Sequence, residues 1–345
     1  MVEKNRYKFK LTIYGSSVGA LHIAGIACLL LALANHPKFL GLGFLAYIFG
    51  LRHAFDADHI AAIDNTVRKL VQQKRDPLGV GFFFSLGHST VVFLMAVATG
   101  FLAQWAKNNI PQLQSIGGIL GTAISGGFLI LIGALNLIVL IDLYGVFTEM
   151  RQKAYDENRL EELLQSRGFM SRFFNPLFKF VSRSWHIYPI GFLFGLGFDT
   201  ASEIALLALS AGVAKSGIGI SGIVALPLLF TAGMSLMDTA DGVFMTTAYG
   251  WAFSNPIRKI FYNLTVTSVS VAVALLIGII EVAQVLTPEL GLKTGFWAWL
   301  ENWNFGSIGY FVVALFALTW SASFCIWKFG RIEERLKCPI DERSA

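Results

Sequence analysis

The stretch Arg52-His53-Ala54-Phe55-Asp56-Ala57-Asp58-His59-Ile60 sets two imidazoles, two carboxylates and a guanidinium inside an apolar segment running from about Gly41 to Asp64. That segment is long enough to cross a bilayer. A charged side chain at the bilayer centre costs about 2.5–3.5 kcal/mol on insertion scales, so such a helix must gain something in return. A polar site for a cation is the gain that suits these residue types.

Spacing narrows the choice of side chains. His53, Asp56 and His59 stand at i, i+3 and i+6, on one helical arc about 120° wide. Asp58 points to the other side of an ideal helix. Either it supports a histidine on another helix, or the helix is irregular near Gly50. Further polar groups overlap in depth: His22, His53, Asp199 and Asp238 sit near mid-span by residue count, and His88 lies nearer the cytoplasmic end. Asp199 and Glu203 are i, i+4, Asp238 and Asp241 are i, i+3, and Met234 precedes Asp238 by one turn.

Imidazole with carboxylate suits first-row divalent ions such as Ni²⁺, Co²⁺, Zn²⁺ or Cu²⁺ better than Mg²⁺ or Ca²⁺, which prefer all-oxygen shells. A lone His on an apolar face is more often a hydrogen-bonded core residue. Several at mid-span, with His88 beside Gly87 and the hydroxyls of Ser89 and Thr90, favour ligation. The expected ligands are His53, His59, His88, His22 and Asp56. Arg52 and Asp58 stand behind them, the guanidinium offsetting excess acid and the carboxylate orienting an imidazole. Asp199, Glu203, Asp238, Asp241 and Met234 are expected to line the path, with Thr200 beside them.

The elements that must position these groups are membrane helices. Apolar residues make up 55% of the chain and charged residues 14%, and the mean hydropathy is +0.61, far from a soluble balance. Eight spans are expected, at about 11–34, 42–64, 79–104, 117–141, 187–213, 222–249, 259–286 and 305–327. Lys4, Arg6, Lys8 and Lys10 lead directly into the first, unlike a cleaved signal peptide. With the N-terminus placed in the cytoplasm, 22 of the 27 Lys and Arg fall in cytoplasmic segments. Only Lys38, Lys107, Lys215 and Lys293 lie outside, so both termini are read as cytoplasmic. The net charge of +5 is thereby explained as topology rather than nucleic-acid binding.

Residues 142–186 form the one long polar segment, read as a cytoplasmic loop between spans four and five. Its stretch from Phe169 to Trp185 alternates aromatics with Arg172, Lys179 and Arg183, which suits the inner leaflet. There is no phosphate-binding glycine loop, so nucleotide hydrolysis by that route is excluded. Cys28, Cys325 and Cys338 show no ligand spacing.

An internal repeat adds a mechanism. Phe49-Gly50-Leu51 followed by Phe55-Asp56 and Ile60-Ala61 resembles Phe194-Gly195-Leu196 followed by Phe198-Asp199 and Ile204-Ala205. Phe84-Ser85-Leu86-Gly87-His88-Ser89 likewise echoes Phe230-Thr231-Ala232-Gly233-Met234-Ser235. An odd number of crossings separates the members of each pair, the pattern of inverted 3+3 repeats over spans 2–4 and 5–7. Such folds hold substrate near the midplane. The fold class is therefore an all-α polytopic membrane protein, a single transport domain over residues 1–345.

The same residues resemble the nickel/cobalt transporter family. Arg52–Ile60 reads as its second-span signature, Arg-His-Ala-(Val/Phe)-Asp-Ala-Asp-His-Ile. Leu86-Gly87-His88-Ser89-Thr90-Val91-Val92, Leu196–Glu203 and Gly233–Gly242 match three further motifs in order. The resemblance implies a high-affinity, low-capacity permease of the plasma (inner) membrane that takes up Ni²⁺ or Co²⁺. It implies that His53, Asp58 and His59 are essential, which adds Asp58 to the metal set. Phe55 with His22 resembles the branch that accepts both metals. No cofactor is expected, the metal being substrate, and no nucleotide or nucleic-acid partner.

Three other readings compete with this one. Export of the same ions uses the same logic, but the His-rich cytoplasmic loop of many exporters is absent, His186 standing alone. A membrane metalloenzyme needs more than the six histidines present, or a His-Glu-x-x-His helix that is missing. A passive channel wants rings of carbonyls or like charges.

Overall fold

The computed structural model describes residues 2–34, 36–37, 39–101, 103–152, 181–196, 206, 209–210, 212, 219–252, 256–291, 294–301 and 305–329. All regular structure among them is helical: α1 (Val2–Leu33), α2 (Phe39–His53), α3 (Ala57–Gln72), α4 (Val80–Phe101), α5 (Ala103–Gln152), a 3₁₀ turn (Ser184–Ile187), α6 (Tyr188–Phe194), α7 (Ile220–Ala252), α8 (Pro256–Glu289), α9 (Phe296–Glu301) and α10 (Phe305–Phe329). Five stretches are long and apolar enough to cross a membrane: Tyr7–Leu33, Val80–Thr99, Ile119–Ile138, Ile220–Gly250 and Leu264–Pro288. Phe39–His53 is a shorter apolar helix. The chain is an integral membrane protein. Residues such as Ile23, Leu31, Phe311 and Leu318 stand exposed, as side chains facing lipid do.

The expected second span, 42–64, is not one helix. α2 ends at His53, residues 54–56 form a turn, and α3 begins at Ala57. Short bonds close the break, from Phe55 N–H to the Arg52 carbonyl at 3.0 Å and from Asp56 N–H to that of His53 at 2.9 Å. Asp56 occupies the N-cap position of α3 with φ −65° and ψ 142°, yet its carboxylate makes no cap bond. α5 also departs from expectation. It begins before the expected fourth span and runs past 142, where the cytoplasmic loop was placed.

Glycines bring the helices together. A Cβ at Gly50 of α2 would lie 2.0 Å from the Phe230 carbonyl oxygen of α7, and one at Gly233 would lie 2.6 Å from that of Tyr47. The crossing of α4 and α6 has the same make-up. A Cβ at Gly191 would lie 2.2 Å from the Phe84 carbonyl, and one at Gly87 would lie 2.1 Å from that of Tyr188. Each crossing thus pairs a Tyr-x-x-Gly helix with a Phe-x-x-Gly helix, at the small-residue contacts membrane helices need for close approach. The two crossings are alike at Gly50 and Gly191, whereas the Phe-Gly-Leu match in the sequence pairs Gly50 with Gly195. Gly126 and Gly278 make a third close approach, between α5 and α8.

α7 packs on α1, α2, α3 and α4 and is the centre of the described bundle. Below the α2–α3 break, α3 is buried nearly all round, Asp64, Asn65, Thr66 and Arg68 included. Arg68 donates to Asp64 Oδ2 at 2.6 Å and to the Tyr249 hydroxyl at 2.8 Å, Tyr249 donates to Asp64 Oδ1 at 2.5 Å, and Ser270 bonds Asp64 as well. Asn136 of α5 donates to Asn65 Oδ1 at 2.8 Å. By sequence Arg68 counts among the basic residues of a cytoplasmic segment. It is fully buried because its carboxylate partner lies one turn away on the same helix.

Candidate metal centre

The break in the second span builds the centre. His53 closes α2 and His59 stands in the first turns of α3. His88 of α4 is brought against both where Gly81 and Gly87 let α4 sink between α7 and α6. The three ring centroids form a near-equilateral triangle, 4.7 Å from His53 to His59, 4.7 Å from His53 to His88 and 4.8 Å from His59 to His88. One nitrogen from each lies within 4.8 Å of the other two. Ligands held at about 2.1 Å from a first-row ion stand about 3.0–3.4 Å apart, so a small contraction would complete a three-nitrogen set. All three rings are buried, at 1%, 0% and 3% exposure.

Carboxylates fix which nitrogens face the centre. Asp56 Oδ2 lies 2.9 Å from His53 Nδ1, and Asp238 Oδ2 of α7 lies 3.3 Å from His59 Nδ1. At His59 the contact is a hydrogen bond, and a carboxylate that holds the proton on Nδ1 leaves Nε2 with its lone pair, the arrangement of a histidine prepared for a metal. His53 Nε2 faces His88 Nε2 at 2.9 Å, and His59 Nε2 is buried with no hydrogen-bond partner among the described residues. An orphaned buried nitrogen is costly unless something fills its place. The C-terminal end of α2 adds the negative pole of a helix dipole. A divalent cation between the rings would take up the His59 Nε2 lone pair and replace the proton that His53 and His88 share.

The expected residues sort by position. His53, His59 and His88 come together, with Asp56 and Asp238 behind them. Asp56 was expected as a ligand on the His53–His59 arc; the helix break instead turns its carboxylate onto the back of His53. Asp58, in the first turn of α3, is half-buried, as is Arg52. His22 is not in the cluster. Its Nδ1 contacts the Val18 carbonyl at 2.8 Å and its Nε2 the Tyr47 hydroxyl at 3.2 Å. Phe55 stacks on Tyr310 of α10, ring centroids 5.5 Å apart, away from the three imidazoles.

Ser89 is buried with its hydroxyl unpartnered, and Thr90 donates to the Leu86 carbonyl at 2.7 Å. Met234 is buried in the core, and Asp241 has one buried oxygen without a partner. Asp199, Thr200 and Glu203 lie outside the described residues.

Two aromatics at the site went unassigned in the sequence. Phe84 meets His59 edge-on at 4.8 Å, and Phe230 lies 5.6 Å from His53. They hold the same slot in the matched sequence stretches Phe84–Ser89 and Phe230–Ser235, which was the available signal. Their rings wall the imidazoles off from water and so strengthen the electrostatics inside.

Comparison with known proteins agrees with this chemistry. A family model described as NicO, high-affinity nickel-transport protein, matches residues 39–326. The nickel transporter NixA of Staphylococcus aureus is 57% identical over 322 residues, covering 93% of this chain and 95% of that protein. The nickel transporter NicT of Mycobacterium tuberculosis is 51% identical, covering 95% and 91%. The high-affinity nickel-transport protein NixA of Helicobacter pylori, strain J99, is 50% identical, covering 93% and 98%. No solved structure matches the chain. With the family model spanning most of its length, the chain belongs to the NicO family of high-affinity nickel-transport proteins.

Proposed function

We propose that this chain is a secondary permease that carries Ni²⁺, and Co²⁺ with it, into the cell through the site formed by His53, His59 and His88. The observation that carries the reading is the triad of buried imidazoles with carboxylates on the Nδ1 atoms of His53 and His59. Borderline-soft nitrogen ligands suit these two ions, and the relatives' names point the same way. Asp58 joins the metal as it passes. Asp199, Glu203, Asp238 and Asp241 line the route, with Met234, and Arg52, Ser89, Thr90 and Thr200 shape its surroundings. Phe55 and His22 set selectivity from outside the triad.

The transport domain is the whole chain, with eight spans, both termini and the 142–186 loop in the cytoplasm, and inverted repeats over spans 2–4 and 5–7. Support for the repeat comes from the paired crossings, Tyr47/Gly50 on Phe230/Gly233 and Tyr188/Gly191 on Phe84/Gly87. A helix broken at its metal ligands is also what midplane ion sites in such folds use. Inward movement follows the membrane potential, about 2.3 kcal/mol per elementary charge per 100 mV and twice that for a divalent ion. Neither a resident cofactor nor an enzymatic step enters this cycle.

The test is accumulation of labelled Ni²⁺ and Co²⁺, at nanomolar free metal, in cells expressing the wild type, His59→Ala or nothing. Saturable uptake by the wild type, lost in the variant, is expected. Faster loss from preloaded cells would reverse the direction, and equal accumulation in the variant would remove the site.

A further inference from the structure

A second polar site lies away from the imidazoles. A cavity of about 820 Å³ opens between the first turns of α1, the α3–α4 turn and the segment around residues 182–185. Its volume is that of a small-ligand pocket. Lys10, Lys74, Arg75 and Arg183 line it, with Tyr14 and Trp185 among the aromatics. The one carboxylate in the lining, Asp76, is already engaged: it pairs with Lys10 and accepts the Leu78 N–H at 3.1 Å. No carboxylate among the described residues pairs with Lys74, Arg75 or Arg183. Among the described lining residues, positive charge is therefore in surplus.

The backbone holds that charge in place. α3 is closed by bonds from Lys74 N–H to the Val71 carbonyl at 3.0 Å and from Arg75 N–H to the Leu70 carbonyl at 2.8 Å. Lys74 sits at φ 53°, a left-handed position where Gly would be relaxed. A lysine there keeps two successive cations at the rim. Beside the cavity, α1 exposes Phe9 and Ile13, one turn apart on one face, and Trp185 is 52% exposed. An apolar helix face next to basic residues, with Trp and Tyr between them, is the pattern of a membrane–water interface.

We propose that this cavity binds a phosphate group, and that its carrier is an anionic phospholipid of the inner leaflet. The phosphate enters among Lys74, Arg75 and Arg183 while an acyl chain lies along the exposed face of α1. Basic pockets between membrane helices on the cytoplasmic side take such headgroups by charge. The leaflet rests on the cytoplasmic orientation proposed above; the phosphate chemistry does not.

The test uses the purified full chain in neutral detergent, with retention of phosphatidylglycerol or phosphatidylcholine read by native mass spectrometry. The wild type should retain phosphatidylglycerol selectively. The triple variant Lys74→Gln/Arg75→Gln/Arg183→Gln should bind it about a hundredfold more weakly, at about fivefold per cation. Equal retention by the triple variant, or of the two lipids by the wild type, would overturn the site. Millimolar inorganic phosphate is the second arm. If it stabilises the wild type alone and displaces the lipid, the carrier is soluble and the lipid assignment fails. Orientation is read separately, by labelling Lys74→Cys in a chain without its native cysteines. Reaction with an impermeant maleimide in intact cells would overturn the leaflet and the topology, leaving the lipid measurement to judge the phosphate site.

Discussion

His53 and His88 meet through their Nε2 atoms, 2.9 Å apart, so one ring nitrogen donates and the other accepts. The Asp56 carboxylate lies 2.9 Å from His53 Nδ1, at the back of that ring. A metal ion between the rings replaces this single shared proton with bonds from both lone pairs. Replacing either ring by Ala should abolish saturable Ni²⁺ uptake while leaving protein in the membrane at near-normal amounts. Uptake with unchanged affinity in either variant would show that the two rings are packed together for another reason.

Asp238 touches the candidate site through His59, at 3.3 Å. Asp238→Asn keeps an oxygen near His59 Nδ1 but removes the charge that raises the basicity of the ring. Metal affinity should fall by about 10- to 100-fold, the usual effect of removing such a partner. Equilibrium titration of purified protein with Ni²⁺ checks this. His22→Ala, outside the triad, should shift affinity far less.

The Gly50 crossing gives a paired test of packing. Gly50→Ala drives a methyl group into the Phe230 backbone and should cost about 1–3 kcal/mol or more, lowering both the Tm of purified protein and uptake. Gly127 of α5 has open space around its missing Cβ, so Gly127→Ala should stabilise by about 0.5–1 kcal/mol through helix propensity alone. Equal effects from the two substitutions would contradict the close approach of α2 and α7.

Arg68→Ala leaves Asp64 buried with its charge unpaired, and the loss should be about 3–5 kcal/mol. Asp64→Asn/Arg68→Gln removes both charges and should recover part of it. The Tm values of the two variants decide whether the cluster with Tyr249 acts as one unit.

Lys69 supplies a pH signature. Burial lowers its ammonium to about 8, against 10.5 for the unfolded chain. Below pH 8 the folded state carries the buried charge and its full penalty. Between pH 8 and about 10.5 the unfolded chain still binds the proton while the folded one has released it, so stability rises with pH, by on the order of 3 kcal/mol. Lys69→Met should be more stable near pH 7 and lack this rise when Tm is followed from pH 7 to 10.

Much of the molecule was legible without coordinates because its signals are local. Hydropathy over windows of about twenty residues marks spans, since every buried backbone group in lipid must be satisfied within its own helix. His53, His59 and His88 stood out because ionisable groups in such windows are expensive. The Tyr-x-x-Gly and Phe-x-x-Gly pairs were present as text, though their register was not. Only the tertiary structure decided the rest. The break at residues 54–56 cannot be read from a period, because a helix and a helix interrupted for three residues carry nearly the same pattern of apolar positions. Whether a mid-span histidine ligates depends on which side chains other helices bring to its nitrogens. His22 meets Tyr47, whereas His59 meets Asp238, 179 positions away, at 3.3 Å. The burial of Arg68 gave no sequence signal because it depends on Tyr249 and Ser270, contributed by α7 and α8. The chemistry was written in residue types; the partners were chosen by packing across the bundle.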